Sequence, residues 1–415
     1  MRLTKTTFVL LVIFVFHNAF ALQTKYPDYV DQVPSGYSGE TFKLSQDYPT
    51  TAKPESNQPW QTIDFRNQPD DYLFAVKKYV FEGMIAADWR PEKNQVRQWY
   101  HVPWMHVGRH PREFIRGLTR ERSSEPGELG PKQLHRVQNW AVGFYNTLGG
   151  YTIGRVWEDP KKPKPELSQF PVGTVVAKVL FTAATTEEVP ELEGTVEWEA
   201  NINSTFDETS PKAVQKVKLL QMDVAIRDDR ADSTTGWVFG TFVYDKNAGG
   251  SNGWEKLMPV GLIWGNDPGI KPSDVVSGKK LQETKISSLI PSIAKARLGW
   301  AGRLNGPVDN NTSSCLSCHS TAQWRPLSPL APRGSDDERL KWFRNLKPHD
   351  AFDKDQIPLD YSLQMAVALQ NYFNPAINPG VSPSPLSFKA SSRKSMRLQS
   401  KKPIDSFDLG FPVER

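Results

Sequence analysis

Apolar residues recur at helical spacing between Asp71 and Arg90, at Leu73, Val76, Val80, Met84 and Ile85, and predict a helix that Pro91 ends. Gln133 to Leu148 reads as a second helix, with Leu134, Val137, Trp140, Ala141 and Phe144 on one side and Gly149-Gly150 as its stop. From Tyr151 the period changes. Tyr151 to Trp157 alternates as a strand, and Phe170-Pro-Val-Gly-Thr174 forms a turn leading into Val175 to Phe181. Lys216 to Arg227 alternates as Val217, Leu219, then Met222, Val224, Ile226, with one slip in phase between the two sets. Trp237 to Tyr244 is β-branched and aromatic, and Leu257 to Trp264 is a further short apolar run. Strands at this spacing predict an antiparallel sheet. Beyond it, Asp337 to Asn345 and Tyr361 to Phe373 carry helical patterns, so the fold class is α+β.

The two ends of the chain differ from this middle. Arg2 and Lys5 precede a continuous apolar run from Phe8 to Phe16, and Ala19-Phe20-Ala21 places small residues where a signal peptidase needs them. Residues 1–21 therefore read as a cleavable secretory signal. The run of nine apolar residues is too short for a hydrocarbon core of ~30 Å, which needs about 20. Residues 22–70, rich in Pro, Ser, Thr, Gln and Tyr, read as an extended polar arm. Residues 381–415 read as a flexible basic tail with Lys389, Arg393, Lys394, Arg397, Lys401 and Lys402. A net charge of +5 without a Lys/Arg run interleaved with aromatics gives no signal for nucleic acid.

The candidate chemistry lies at Cys315-Leu316-Ser317-Cys318-His319, a C-x-x-C-H pentapeptide that contains the only 2 cysteines of the chain. This is the attachment pattern of a c-type haem: two thiols for thioether bonds and an adjacent imidazole as proximal iron ligand. The same pair could form a structural disulfide with His319 as a coincidental neighbour. A thioredoxin-like redox motif wants a βαβ context, which Asn310 to Ser314 and Trp324-Arg325-Pro326 do not offer. A signal for export and a c-type haem point to one compartment, the periplasm. One CxxCH excludes a two-haem peroxidase.

CxxCH here follows a β unit, and its upstream flank Gly299 to Pro307 is poor helix material. At these residues the chain resembles the cytochrome P460 family of β-sheet c-type haem proteins. Phe170-Pro-Val-Gly-Thr-Val-Val-Ala-Lys178 is similar to that family's turn and strand, and Gly236 to Asp245 to its later Trp-aromatic strand. The resemblance covers roughly residues 145 to 325. The loops Thr182–Pro211 and Lys246–Pro307 are longer than the family pattern, and Trp324-Arg325-Pro326 stands where it has a strand. The resemblance implies an antiparallel β-sheet haem domain over 150–325; the apolar pattern places a helical or irregular region over 71–149 ahead of it and a helical extension over 326–380 after it. The resemblance implies that Lys178 stands at the position of a lysine cross-linked to the macrocycle. It also implies that Asp223 stands nearest to a carboxylate that serves proton transfer. From the residues alone, Val176 and Lys178 share a face opposite Val175, Ala177 and Val179, which leaves open whether Lys178 points outward. From the residues alone, Asp223 reads as a solvated surface carboxylate.

His101, His106 and His110 concentrate three of the 7 histidines in one loop, where Pro103 and Gly108 forbid a regular helix. They read either as a metal or distal-ligand cluster or as hydrogen-bonding imidazoles packed with Trp104. His135, His349, Met222, Met258 and Met365 are lesser candidates for a sixth ligand. Arg112, Glu113, Arg116, Arg120, Glu121 and Arg122 read as a solvated charged face. Two functions follow. One is a cytochrome P460-like oxidoreductase or gas-binding protein acting on a small nitrogenous or gaseous ligand. The other is a six-coordinate electron-transfer cytochrome serving periplasmic redox partners.

Overall fold

The computed structural model describes residues 25–55, 58–326 and 328–379. The signal segment and the basic tail lie outside the described residues. The protein is α+β, built on one antiparallel sheet of eight strands: β1 (Thr119–Arg120), β2 (Asn139–Tyr145), β3 (Val175–Thr182), β4 (Glu197–Asn203), β5 (Lys212–Arg227), β6 (Trp237–Tyr244), β7 (Leu257–Ile263) and β8 (Thr284–Ile286). The strand order is β1-β2-β3-β5-β6-β7-β8, and β4 pairs with the N-terminal half of the long β5. Every pairing is antiparallel.

The sheet carries a core on each face. Val175, Ala177 and Val179 of β3 share one face with Met222, Val224 and Ile226 of β5. The helix Pro69–Phe81 lays Tyr72, Leu73 and Val76 against that face. Leu73 comes so close to Gly240 of β6 that a side chain at 240 would meet it. The opposite face packs Leu180, Phe239 and Val243 against the C-terminal third of the chain. That third contributes Trp342, Phe343 and the helix Leu363–Phe373. The slip in the alternation of β5 is a β-bulge. Leu180 pairs with Gln221 and Phe181 with Leu219, so Leu220 stands unpaired between them.

Three sequence expectations are corrected. The first helix ends at Phe81 rather than running to Arg90, because Gly83 takes a positive φ of 74° and leaves no room for a side chain beside Asn94. Gln133–Leu148 is not a helix: Asn139–Tyr145 is a strand buried along its whole length, so its continuous apolar run carries no period to tell strand from helix. The helix runs instead over Thr147–Val156, where a strand was expected. Gly149 and Gly150 do not stop it; they lie inside its first turns, pressed against Tyr145 and Tyr100, and Asn146 caps it by accepting from Gly149 N at 3.2 Å. In consequence β1 and β2 fall within 71–149, the segment expected to be helical or irregular ahead of a β-domain starting at 150. Among the described residues after His319, the only strand pairing is that of the two-residue β9 (Gln323–Trp324) with β10 (Ile357–Pro358). No helix among the described residues is long and apolar enough to cross a membrane.

Candidate haem-attachment site

The pentapeptide forms a single helical turn, Cys315–His319. Ser314 starts it with a reciprocal cap: its hydroxyl accepts from Ser317 N at 3.1 Å while the Ser317 hydroxyl accepts from Ser314 N at 2.8 Å. Spacing of three and four residues puts Cys315, Cys318 and His319 on one side, and Leu316 buries itself on the other. The turn is tied to the preceding loop by Cys315 N donating to Leu304 O at 3.2 Å, and to Asn266 by the Ser314 hydroxyl at 3.2 Å.

The two thiols and the imidazole line a cavity of about 380 Å³ between the sheet and the C-terminal helix. Both cysteines are free thiols, which removes the disulfide reading for this structure. Burial pushes the Cys318 thiol up to about 11 and Cys315 well above its usual value. Burial lowers the His319 imidazole to about 4, so the ring is neutral. Its Nδ1 lies 2.8 Å from the Tyr361 carbonyl, and the Phe239 ring packs 4.8 Å from it.

One cross-strand row of the sheet runs beside this cavity, and Gly143, Lys178 and Asp223 of that row line it. Gly143 pairs with Lys178, Lys178 with Asp223, and Asp223 with Thr241, so a glycine, a cation, a carboxylate and a hydroxyl stand side by side. Thr241 donates to Asp223 Oδ1 at 2.8 Å and lies 3.9 Å from Cys315 Sγ. Gln221, on the same face of β5, donates to both Asp223 oxygens at 3.0 and 2.9 Å and to Asp309 Oδ2 at 3.1 Å. Burial, and then the charge of Asp309, raise the Asp223 carboxyl to about 7. Asp223 is thus a wall of the cavity, not a solvated surface group.

Lys178 faces the same cavity rather than solvent, and its ammonium lies 2.9 Å from Glu121 Oε2. Burial alone would lower its pKa, but Glu121 and Asp223 outweigh burial and hold it above the usual value. Glu121 had been placed on a solvated charged face, and that expectation fails for its neighbours as well. Arg112, Glu113 and Arg120 are buried. Glu113 accepts backbone N–H bonds from Ile115, Arg116, Leu118 and Asn201, and Arg112 donates to Val102 O at 2.9 Å.

The three clustered histidines do not converge. His101 is buried between Phe42 and Phe144 and accepts from Ser45 N at 3.0 Å. His106 packs on Trp104, and burial lowers it to about 4. Only His110 reaches the cavity wall, together with Met105. Among the described residues no group of three or more His, Cys, Asp and Glu is arranged to hold a metal ion. His135, His349, Met222, Met258 and Met365 do not line the cavity.

The residues fit a covalently attached haem. Two free thiols share one face of a helical turn, and the imidazole beside them has one nitrogen engaged and the other available. Sequence reasoning missed Glu121, Asp309, Gln221, Thr241 and Met105, whose places depend on strand register or distant loops. The slip in β5 was the one legible clue, since it decides which way Gln221 and Asp223 point. No family model matches the chain, and neither curated proteins nor solved structures gave a match.

Proposed function

We propose that this is an exported, periplasmic c-type haem protein of cytochrome P460-like character, binding a small nitrogenous or gaseous ligand at the iron. The observation that carries the reading is Lys178 and Asp223 standing side by side on the wall of the cavity that CxxCH lines, with Thr241 on the next strand holding the Asp223 carboxylate. Cys315 and Cys318 would hold the haem by thioether bonds, and His319 would ligate iron through Nε2. Bound haem would supply a redox-active iron able to take a small ligand.

The chain's own groups do the rest. Asp223, held near pH 7, holds or releases a proton at neutral pH, the condition for acid–base work. Gln221 and Thr241 fix its two oxygens in place. Lys178 keeps its proton and its partner Glu121, so it serves as a fixed positive charge beside Asp223. That pairing favours a charge over a covalent bond from Lys178 to the macrocycle, because a bond-forming amine must first lose its proton. Met105 and His110 on the cavity wall support the second reading, a six-coordinate electron carrier.

The test is expression with the c-type maturation machinery. Haem stain should persist on a denaturing gel and vanish in the Cys315→Ala/Cys318→Ala variant. The ferrous protein should then change its visible spectrum with carbon monoxide or nitric oxide. A low-spin resting spectrum without gas binding would leave electron transfer, and an unstained band would remove both.

A further inference from the structure

His319 is bonded to a carbonyl that comes from far along the chain, in a turn with unusual backbone. Asp360 and Tyr361 both lie in the left-handed region, at φ 45° and 65°. An aspartate tolerates that conformation; a bulky aromatic residue does not adopt it without being held. The turn is held from several directions. Asp360 Oδ1 accepts from the Trp237 indole N–H at 2.8 Å, and Oδ2 accepts from Phe170 N at 2.8 Å. Leu359 N donates to Ala322 O at 3.0 Å, the Tyr361 hydroxyl donates to Leu346 O at 2.6 Å, and Ser362 Oγ lies 2.9 Å from the Tyr145 hydroxyl. The product of this clamp is one carbonyl, Tyr361 O, placed 2.8 Å from His319 Nδ1.

A carbonyl has no proton to give. Nδ1 must therefore donate, and Nε2 carries the lone pair that an iron ligand needs. A hydrogen bond at the far nitrogen both orients the ring and makes it more electron-rich. We propose that Asp360 is the positioning residue of the axial ligand: its buried carboxylate, gripping Trp237 and Phe170, sets the left-handed Asp360–Tyr361 turn that fixes the tautomer and direction of His319. The proposal rests on His319 being the axial ligand, and it names the group outside the iron's reach that prepares it.

The experiment compares the haem-loaded wild type with Asp360→Asn and Asp360→Ala. Asparagine tolerates the left-handed backbone but presents an NH2 group where one of two N–H donors needs an acceptor. Alanine removes both acceptors and the tolerance. Resonance Raman of the ferrous protein should show the iron–imidazole band shifted to lower frequency and broadened in both variants. The midpoint potential should move upward. Leu73→Ala, on the opposite face of the sheet, should lower Tm and leave the band in place. If both Asp360 variants lose Tm but keep the wild-type band and potential, Asp360 is structural only and the proposal is overturned; should Asp360→Ala fail to fold, Asp360→Asn decides alone. A wild type without covalent haem would remove the proposed function but not this test. In that colourless protein, 15N chemical shifts should show His319 protonated at Nδ1, with a tautomer mixture in Asp360→Asn. A mixture already present in the wild type would overturn the proposal.

Discussion

Asp223 has a titration that solution work can follow. Its folded value near 7 lies above the ~3.9 of an unfolded aspartate. Between those values the folded chain keeps a proton that the unfolded chain has lost, so this group makes stability fall as pH rises from about 4 to 7. Asp223→Asn abolishes that slope and adds a constant offset, because an amide nitrogen meets the Gln221 and Thr241 donors. Melting curves from pH 4 to 8 should show the variant gaining on the wild type across that window and running parallel above it. A difference independent of pH would mean Asp223 is ionised throughout. The grouping of Cys315, Cys318 and His319 on one side of a turn was legible in the sequence because five consecutive residues carry it. Lys178 was legible as a position but not as an ion pair, since Glu121 reaches it across β2 from the end of β1. Asp309 was not legible at all: only Gln221, itself set by a bulge, brings it beside Asp223.

Among the elements, the loop ahead of the Cys315–His319 turn depends on one cation. Arg303 is fully buried, and its guanidinium donates to the carbonyls of Trp300, Asn266, Asp267 and Ile270 while lying near the Trp300 and Phe343 rings. The same loop carries Leu304, which receives Cys315 N. Arg303→Met should leave those carbonyls without donors, at ~1–3 kcal/mol for a buried unsatisfied group, and a total loss of at least about 3 kcal/mol is expected. Arg303→Lys should recover only part, because an ammonium cannot span the fork. Urea unfolding measures both; a loss under about 1 kcal/mol for Arg303→Met would show that water replaces the guanidinium. The strands β3, β5, β6 and β7 were readable from β-branched runs between turn residues. The stretch 133–157 was misread because β2 is buried on both faces and the following helix opens on two glycines, each chosen by a neighbour's ring and invisible to a local pattern.

At the scale of the molecule, the sheet is covered on both faces and its middle is paired on both edges. β3, β6 and the C-terminal half of β5 should therefore exchange their amide hydrogens slowest, near the rate of global unfolding, while β8, a three-residue strand at the edge, exchanges first. Hydrogen-exchange mass spectrometry tests this order; equal protection of β8 and β5 would contradict it. The antiparallel α+β class was legible because turns and strands alternate at short range. The joining of the N-terminal helix and the C-terminal third to opposite faces was not, because long-range packing leaves no mark on neighbouring residues. The bulge at Leu220 ties these scales together. In a strand, odd and even positions face opposite ways, so one extra residue changes the parity of everything beyond it. Had β5 been a residue shorter there while its first half kept its place, Met222 and Val224 would face the thiols, and Asp223 would be driven among the aliphatic side chains beneath the first helix. The acid of this site is placed by a count of residues, and a change in that count would silence it with every chemical group still present.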